Sequence, residues 1–528
     1  LATTLALSRN GGVPRPAMSP RDSNVVEYGW RRALVTVAIV TATLLEIVDV
    51  TIVNVALPNI EGNFGASVDQ AAWIGTGYII ANVIVIPLTP WLQRRFGRKQ
   101  YYAASIGLFT FASVMCGLSG SLEELVFWRL VQGLGGGGLL STSQAILRET
   151  FPSNEQGKAA GIFSMGVIVG PTIGPTLGGF ITDQLSWRWA FFVNVPTGLL
   201  ALGLVVWLLR NPQAPRKLQL DWLGLAFLAT GIGSLQYVLD MGQRKDWFDD
   251  TSIVVCSFLA VAGIAAFVLS ELRRDNPIVD LHVLRYRSVA AGSILGMVLG
   301  ISLYGSVLIL PQYVQGSLGF TATLSGELLV FRASAVMLVT PLVAALSTRG
   351  KVDARLFVLC GFLLLGISNW MLANVTTTQS DFWSFFWPLF ISGLGLAQIF
   401  VPLTISVLAS VEQRDIPAAA AFFNLARQIG GSIAIAVLVT ILARSNAIHH
   451  TELGSRIALS VPPVSDYMRA NGGERSTRAA LDLDRLVSQQ AAVIAYADTA
   501  RTVAIISIVL SPLAFILNRP KPLGLPAK

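Results

Sequence analysis

The sequence predicts an all-α polytopic membrane protein of fourteen transmembrane helices, and three observations carry that reading. The 528-residue chain is 53% hydrophobic and 13% charged, with mean hydropathy +0.62, whereas roughly a quarter of the residues in soluble domains are charged. Its apolar residues fall into runs of about twenty, the length that crosses roughly 30 Å of hydrocarbon at about 1.5 Å per residue. The lysines and arginines behind the net charge of +8 cluster in short stretches between those runs. They are not interleaved with aromatic residues on a polar domain, so topology explains them and nucleic acid does not.

The segments are placed at about 32–57, 70–92, 101–120, 123–147, 159–183, 189–209, 220–240, 251–271, 288–314, 323–347, 355–374, 383–410, 418–443 and 498–517. The first opens behind Arg31 and Arg32, and the second closes on Arg94, Arg95, Arg98 and Lys99. The third and fourth are separated by a short Gly/Ser stretch, and the fifth follows Arg148 and Lys158. The sixth begins at Trp189 and ends at Arg210; the seventh and eighth flank Arg244 and Lys245. The ninth lies between Arg287 and the outer loop, the tenth ends at Arg349 and Lys351, and the eleventh starts beside Arg355. The twelfth begins among Trp383, Phe385, Phe386 and Trp387, which with Trp370 read as an interfacial belt. The thirteenth follows Arg414, and the fourteenth follows a long polar loop, 444–497.

Counting Lys and Arg over the short loops leaves only Arg188, Arg244 and Lys245 on the far side, so both termini are expected in the cytoplasm. The long loop, whose charge does not count, is expected outside. Residues 1–30 lack an apolar core with a small-residue cleavage site, so the first span is expected to direct insertion. Parallel halves suggest six plus two plus six: a tail 1–31, a bundle 32–209, a two-helix insertion 220–271, a second bundle 288–517 and a tail 518–528. Cys116, Cys256 and Cys360 lie in apolar runs, and His449 and His450 lie in a polar loop without further ligands. No disulfide framework, metal or cofactor is expected.

Chemistry concentrates in the charged residues inside the spans. Glu46 and Asp49 stand three residues apart, on one face of the first helix. Two acids in hydrocarbon mark an ion pathway more readily than a structural pair. The fourth span carries Arg129, Gln132 and a glycine run, Gly135 to Gly138. Its GxGxxG spacing has no preceding strand and is not a dinucleotide site. In the fifth, Gly170, Gly174 and Gly178 repeat every four residues beside Pro171, Pro175 and Gly179. That smooth stripe with interrupted hydrogen bonding suggests a pliant interface at which two bundles rock.

These motifs resemble those of the drug:proton antiporters of the major facilitator superfamily. Leu45 to Pro58 is similar to LDxTIVNVALP, Arg129 to Gly135 to RxxQGxG, and Gly170 to Gly179 to the antiporter motif. Trp187 to Pro196, Leu235-Gln236, Asp246 to Phe248 and Asn276 to Leu281 resemble the 14-span EmrB/QacA-type permeases. The resemblance implies the major facilitator fold and proton-coupled export of amphipathic small molecules. Coupling is expected at Asp49, with Glu46 auxiliary and Arg129 as charge partner. Asn54, Gln132, Arg332 and Arg427 are candidate substrate or gating contacts, Arg332 alternatively bridging Glu327. A periplasmic adaptor and outer-membrane channel are implied partners where the host has two membranes. Two motifs depart from the family pattern: Pro90 and Arg94 replace a glycine and an acid after span two, and Phe331-Arg332-Ala333 replaces Pro-Arg-Gly. A proton-coupled symporter of the same fold is the main rival. A membrane-embedded transferase is a remoter one, since no catalytic constellation is visible.

Overall fold

The computed structural model describes residues 26–152, 155–210, 221–274, 277–348, 352–409, 411–412, 414–457, 461–471 and 476–517. Most of both tails, Asn276 and the basic stretch 349–351 lie outside the described residues. Every regular element described is helical. The first bundle comprises α1 (Gly29–Phe64), α2 (Val68–Phe96), α3 (Arg98–Leu118), α4 (Leu122–Gly136), α5 (Leu139–Thr150), α6 (Gln156–Gln184), α7 (Trp189–Phe192) and α8 (Asn194–Leu208). A pair follows, α9 (Trp222–Met241) and α10 (Thr251–Leu272). The second bundle contains α11 (Arg287–Gly316), α12 (Ala322–Thr348), α13 (Ala354–Val375), α14 (Phe386–Ala409), α15 (Ile416–Ser455), α16 (Pro462–Ala470) and α17 (Thr477–Leu510).

Local chemistry sets the helix ends. Ser67 and Gln70 form a reciprocal capping box at the start of α2, while Ser121, Asp221, Asp250, Asp353 and Ser476 cap α4, α9, α10, α13 and α17. The glycine run divides the fourth segment into α4 and α5, because consecutive glycines weaken the helix at their cost in backbone entropy. Twelve described helices are long and apolar enough to cross a membrane; the two remaining segments are this divided one and α11, of which Arg287–Leu303 is a shorter apolar helix.

The two bundles meet where α6 lies along α12, α2 along α15, and α5 against α15. The inserted pair crosses at a glycine contact: a Cβ on Gly231 would stand 2.6 Å from the Ile264 backbone nitrogen and 2.8 Å from the Gly263 carbonyl carbon. α9 then packs on α2 and α15, against the outside of the seam.

Two expectations are corrected here. The 444–497 loop is largely helical, because α15 runs on to Ser455, α16 follows and α17 begins at Thr477. Its alanine-, leucine- and arginine-rich sequence has few breakers, and His449 to Asp498 at 2.8 Å and His450 to Asp484 at 3.3 Å tie α15 to α17. Among the aromatics, Trp370, Trp383 and Trp387 are exposed as a belt requires, but Phe385 is fully buried against Tyr313. It therefore belongs to the core.

Candidate functional site

The centre of the first bundle holds a closed polar network. Asp49 lies mid-helix in α1 and is completely buried, as is Arg129 of α4, and they form an ion pair at 2.6 Å. Gln132, one turn beyond Arg129, donates to Asp49 Oδ1 at 2.9 Å and accepts from Arg129 at 2.8 Å. Asn194, the first residue of α8, donates to the same Oδ1 at 2.7 Å and to Ser113 Oγ at 3.0 Å. Arg129 also donates Nε to the carbonyl of Ile74 at 3.1 Å, with its guanidinium 4.3 Å from the centre of the Tyr78 ring. Every described hydrogen bond to Asp49 is donated to it.

Close helix approach makes the network possible. A side chain on Gly133 would strike the backbone oxygen of Tyr78, and one on Gly137 that of Asn82. α4 can therefore lie directly on α2, carrying Arg129 to Ile74 and Tyr78. On the opposite side of α1, Gly170 meets Ile47, Gly174 meets Thr51, and Gly178 meets Ile52. The stripe thus faces the helix of the two acids within one bundle. Contact across the bundles falls on other positions of α6, with Gly161 beside Thr340 and Ala344 and Thr176 beside Gly326.

Glu46 is also buried, one turn from Asp49, but its environment differs. It accepts from Asn82 Nδ2 at 3.2 Å and from the backbone N–H of Leu140 at 3.1 Å, the first turn of α5. No ion pair to it occurs among the described residues. Towards the α2–α3 junction, Arg98 pairs with Glu149 and bonds Gln93 Oε1 at 3.2 Å, while Gln93 donates to Thr142 at 2.9 Å. These bonds join the basic segment after α2 to α5.

The other candidates stand apart. Asn54 is exposed. Arg427 of α15 is buried and reaches Asn424 Oδ1 at 3.4 Å, and Asn424 donates across the bundles to Gln144 of α5 at 2.9 Å. Arg332 is buried in α12. The expected bridge to Glu327 does not form, because five helical residues separate the two by about 140° and Glu327 is exposed. Asn194, Asn82, Ser113 and Gln144 carry no charge and were not singled out as site residues. The signal was available for Asn194, a polar side chain inside a quoted motif at the start of an apolar run.

The profile of the Major Facilitator Superfamily matches residues 39–435. Multidrug export protein EmrB of Escherichia coli (strain K12) is 35% identical over 426 residues, covering 80% of this chain and 83% of that protein. The probable multidrug resistance protein EmrY of the same organism is 31% identical over 493 residues, 92% and 95% of the two chains. The structure of the proton:xylose symporter XylE superposes with a TM-score of 0.55 over 90% of this chain and 95% of that one at 12% identity, a likeness of fold. The chain is thus a multi-pass membrane protein of the Major Facilitator Superfamily and belongs to its EmrB/QacA-type multidrug permeases.

Proposed function

We propose that the chain is a proton-coupled antiporter that exports amphipathic small molecules by alternating access of two six-helix bundles, 32–209 and 288–517. The observation that carries this reading is the buried Asp49–Arg129 pair with its amide donors. A proton delivered to Asp49 competes with Arg129 and the two amides for the same two oxygens. A rearrangement that moves Arg129 off Asp49 therefore links protonation to conformation, and substrate entry can drive or follow the same movement. Glu46, bonded to the break between α4 and α5, is placed to sense that movement as an auxiliary acid. The export reading comes from the family, whose relatives EmrB and EmrY are named for multidrug export and resistance. In vesicles carrying an imposed pH gradient, the antiporter moves substrate against the proton flow; movement with it would make the chain a symporter. That is the wild-type arm of the Asp49 experiment below.

The proposed orientation in the inner membrane has both termini in the cytoplasm, with the helical extension of α15, α16 and α17 outside. α15 alone spans 40 residues, about 60 Å, twice the hydrocarbon thickness. This projection is the proposed docking element for a periplasmic adaptor leading to an outer-membrane channel. Reporters after Lys528 and within 455–495 are expected on opposite sides, and deletion of most of 460–490 is expected to abolish co-purification with such an adaptor. Reporters on one side would overturn the orientation, and undiminished co-purification would remove the projection from docking.

A further inference from the structure

Gln144 of α5 stands on the seam between the bundles with only half of its amide used. It is 3% exposed, its Oε1 accepts from Asn424 of α15 at 2.9 Å, and its Nε2 has no hydrogen-bond partner among the described residues. The side chain lines a cavity of about 20 Å³ between α5, α6 and α14. Two more buried polar atoms on that wall are unpartnered: Oε1 of Gln156, from α6, and Oγ1 of Thr404, from α14. Gln156 cannot turn its oxygen away, because its Nε2 is held by the carbonyls of Arg148 and Phe151 at 2.9 and 2.6 Å. Apolar side chains such as Phe163 and Leu408 close most of the remaining wall.

A buried donor or acceptor left without a partner is destabilising, and three around one cavity call for a common partner. One ordered water needs roughly 10–15 Å³ and two to four polar neighbours, and both conditions are met. The chemistry of the set also selects water. Gln144 offers a hydrogen, Gln156 offers a lone pair, and the Thr404 hydroxyl offers either. An anion is the competing occupant, since Arg148 also lines the cavity. It accepts only, however, and would face the Gln156 oxygen. Gln144 and Gln156 belong to the first bundle and Thr404 to the second, so a water shared among them ties the bundles together beside the direct bond to Asn424. The place matters for the acids as well. Gln144 lies one turn along α5 from Leu140, whose N–H donates to Glu46 at 3.1 Å, so a seam that parts at Gln144 also moves the donor of that acid.

We propose that the cavity holds an ordered water and that Gln144 is the latch of the seam at this end, bonded directly to Asn424 and through the water to Thr404 and Gln156. This deepens the alternating-access reading by naming a contact that breaks when this end opens. Its members are neutral, so opening exchanges each bond for one to solvent without separating charges.

The test uses the full-length protein in nanodiscs with Cys116, Cys256 and Cys360 replaced by alanine and one reporter, Ala344→Cys. Ala344 is 4% exposed on α12, where it faces Gly161 across the seam outside the cavity. Its thiol is reached by N-ethylmaleimide when the seam parts, and the labelling rate is the readout. Neither substrate nor a gradient is needed, so the result stands apart from the direction of transport, which the vesicle experiment on Asp49 tests. Gln144→Leu and Asn424→Leu are each expected to raise the rate about fivefold, the scale of one hydrogen bond, and Thr404→Val about twofold. Thr404→Val is expected to add little in the Gln144→Leu background, because the water that connects the two side chains has already lost its place. Size-exclusion profiles and thermal unfolding are recorded for each variant. If Gln144→Leu does not fold, Gln144→Glu replaces it, keeping the oxygen for Asn424 and giving up the hydrogen for the water. A rate unchanged by the Gln144 and Asn424 variants would overturn the latch. Independent, multiplying effects of the Gln144 and Thr404 variants would overturn the water, and so would labelling that quickens when chloride is replaced by gluconate, which would put an anion in its place.

Discussion

Asp49→Asn is expected to bind substrate yet lose gradient-driven transport by roughly a hundredfold or more, equivalent to about 2.7 kcal/mol in the driven step. The carboxylate is the only charge opposing Arg129 in the network, and its Oδ1 gathers Gln132 and Asn194. An amide in its place offers one acceptor oxygen and no proton to exchange, so the cycle stops in both directions. Glu46→Gln should be impaired only partly, since Asn82 and the Leu140 N–H still find an acceptor. Arg129→Ala should be severely defective, because it removes the cation whose movement switches Asp49. The competing account is a permanent pair that fastens α1 to α4. Breaking a buried pair by removing one partner costs about 3–5 kcal/mol, whereas removing both charges together is often neutral. The double variant Asp49→Asn with Arg129→Gln separates the accounts. Recovery of folded protein without gradient-driven transport supports coupling; recovery of both makes the pair structural, and full transport by Asp49→Asn alone moves the search to Glu46 or Glu327. Reconstituted vesicles under an imposed pH gradient, with substrate binding measured separately, provide the readout.

How much of this was legible in the sequence depends on whether a residue announces itself alone or only through a distant partner. Charges inside apolar runs announce themselves, which is why Glu46, Asp49, Arg129, Arg332 and Arg427 could be named without coordinates. Asn194 is marked only by its place in a motif and Asn82 not at all, because a neutral amide in an apolar run reads as an ordinary buried residue. Their partners lie 145 and 36 positions away, and the helix order that joins them is a property of the packed bundle. The glycine stripe was legible as a close-packing surface, but its partner was not: spacing fixes a face, and nothing local says whether α1 or the other bundle covers it. The Glu327–Arg332 bridge was a misreading that geometry could have prevented, since five residues is not a helical neighbour distance. Polarity marks 444–497 as a loop, but polarity does not exclude a helix. Its alanine- and leucine-rich run through 477–500 carries the helix propensity that the structure realises.

Gly174→Val is expected to abolish export while leaving expression largely intact, and the structure sets an order among the glycines of this stripe. A Cβ on Gly174 would stand 2.6 Å from the Cβ of Thr51 and press on its hydroxyl. Thr51 cannot simply turn away, because its own Cβ is in the contact and its hydroxyl donates to the carbonyls of Ile47 and Val48 at 3.2 and 3.0 Å. α1 must shift instead, and Asp49 lies two residues from Thr51 on that helix. At Gly178 the added atom would be 3.2 Å from Ile52 Cα and 3.4 Å from Val55 Cβ, a contact that a few tenths of an ångström relieve. Gly174→Ala should therefore cost most of the export and Gly178→Ala little, with valine damaging both. Overpacking of this kind costs about 1–3 kcal/mol, enough to bias a conformational equilibrium without unfolding a large bundle. Thr51→Gly removes the opposing Cβ and should restore much of the activity of Gly174→Ala, despite the roughly 1 kcal/mol that glycine costs inside a helix. Export is read in susceptibility and vesicle assays, and folded protein by size-exclusion chromatography. If export falls only in proportion to folded protein, the stripe is ordinary packing; if both valine variants export at the wild-type rate, close approach of α6 to α1 is dispensable. A transporter that folds normally, stops exporting after Gly174→Ala and recovers with Thr51→Gly would tie the antiporter motif to the helix that carries Asp49.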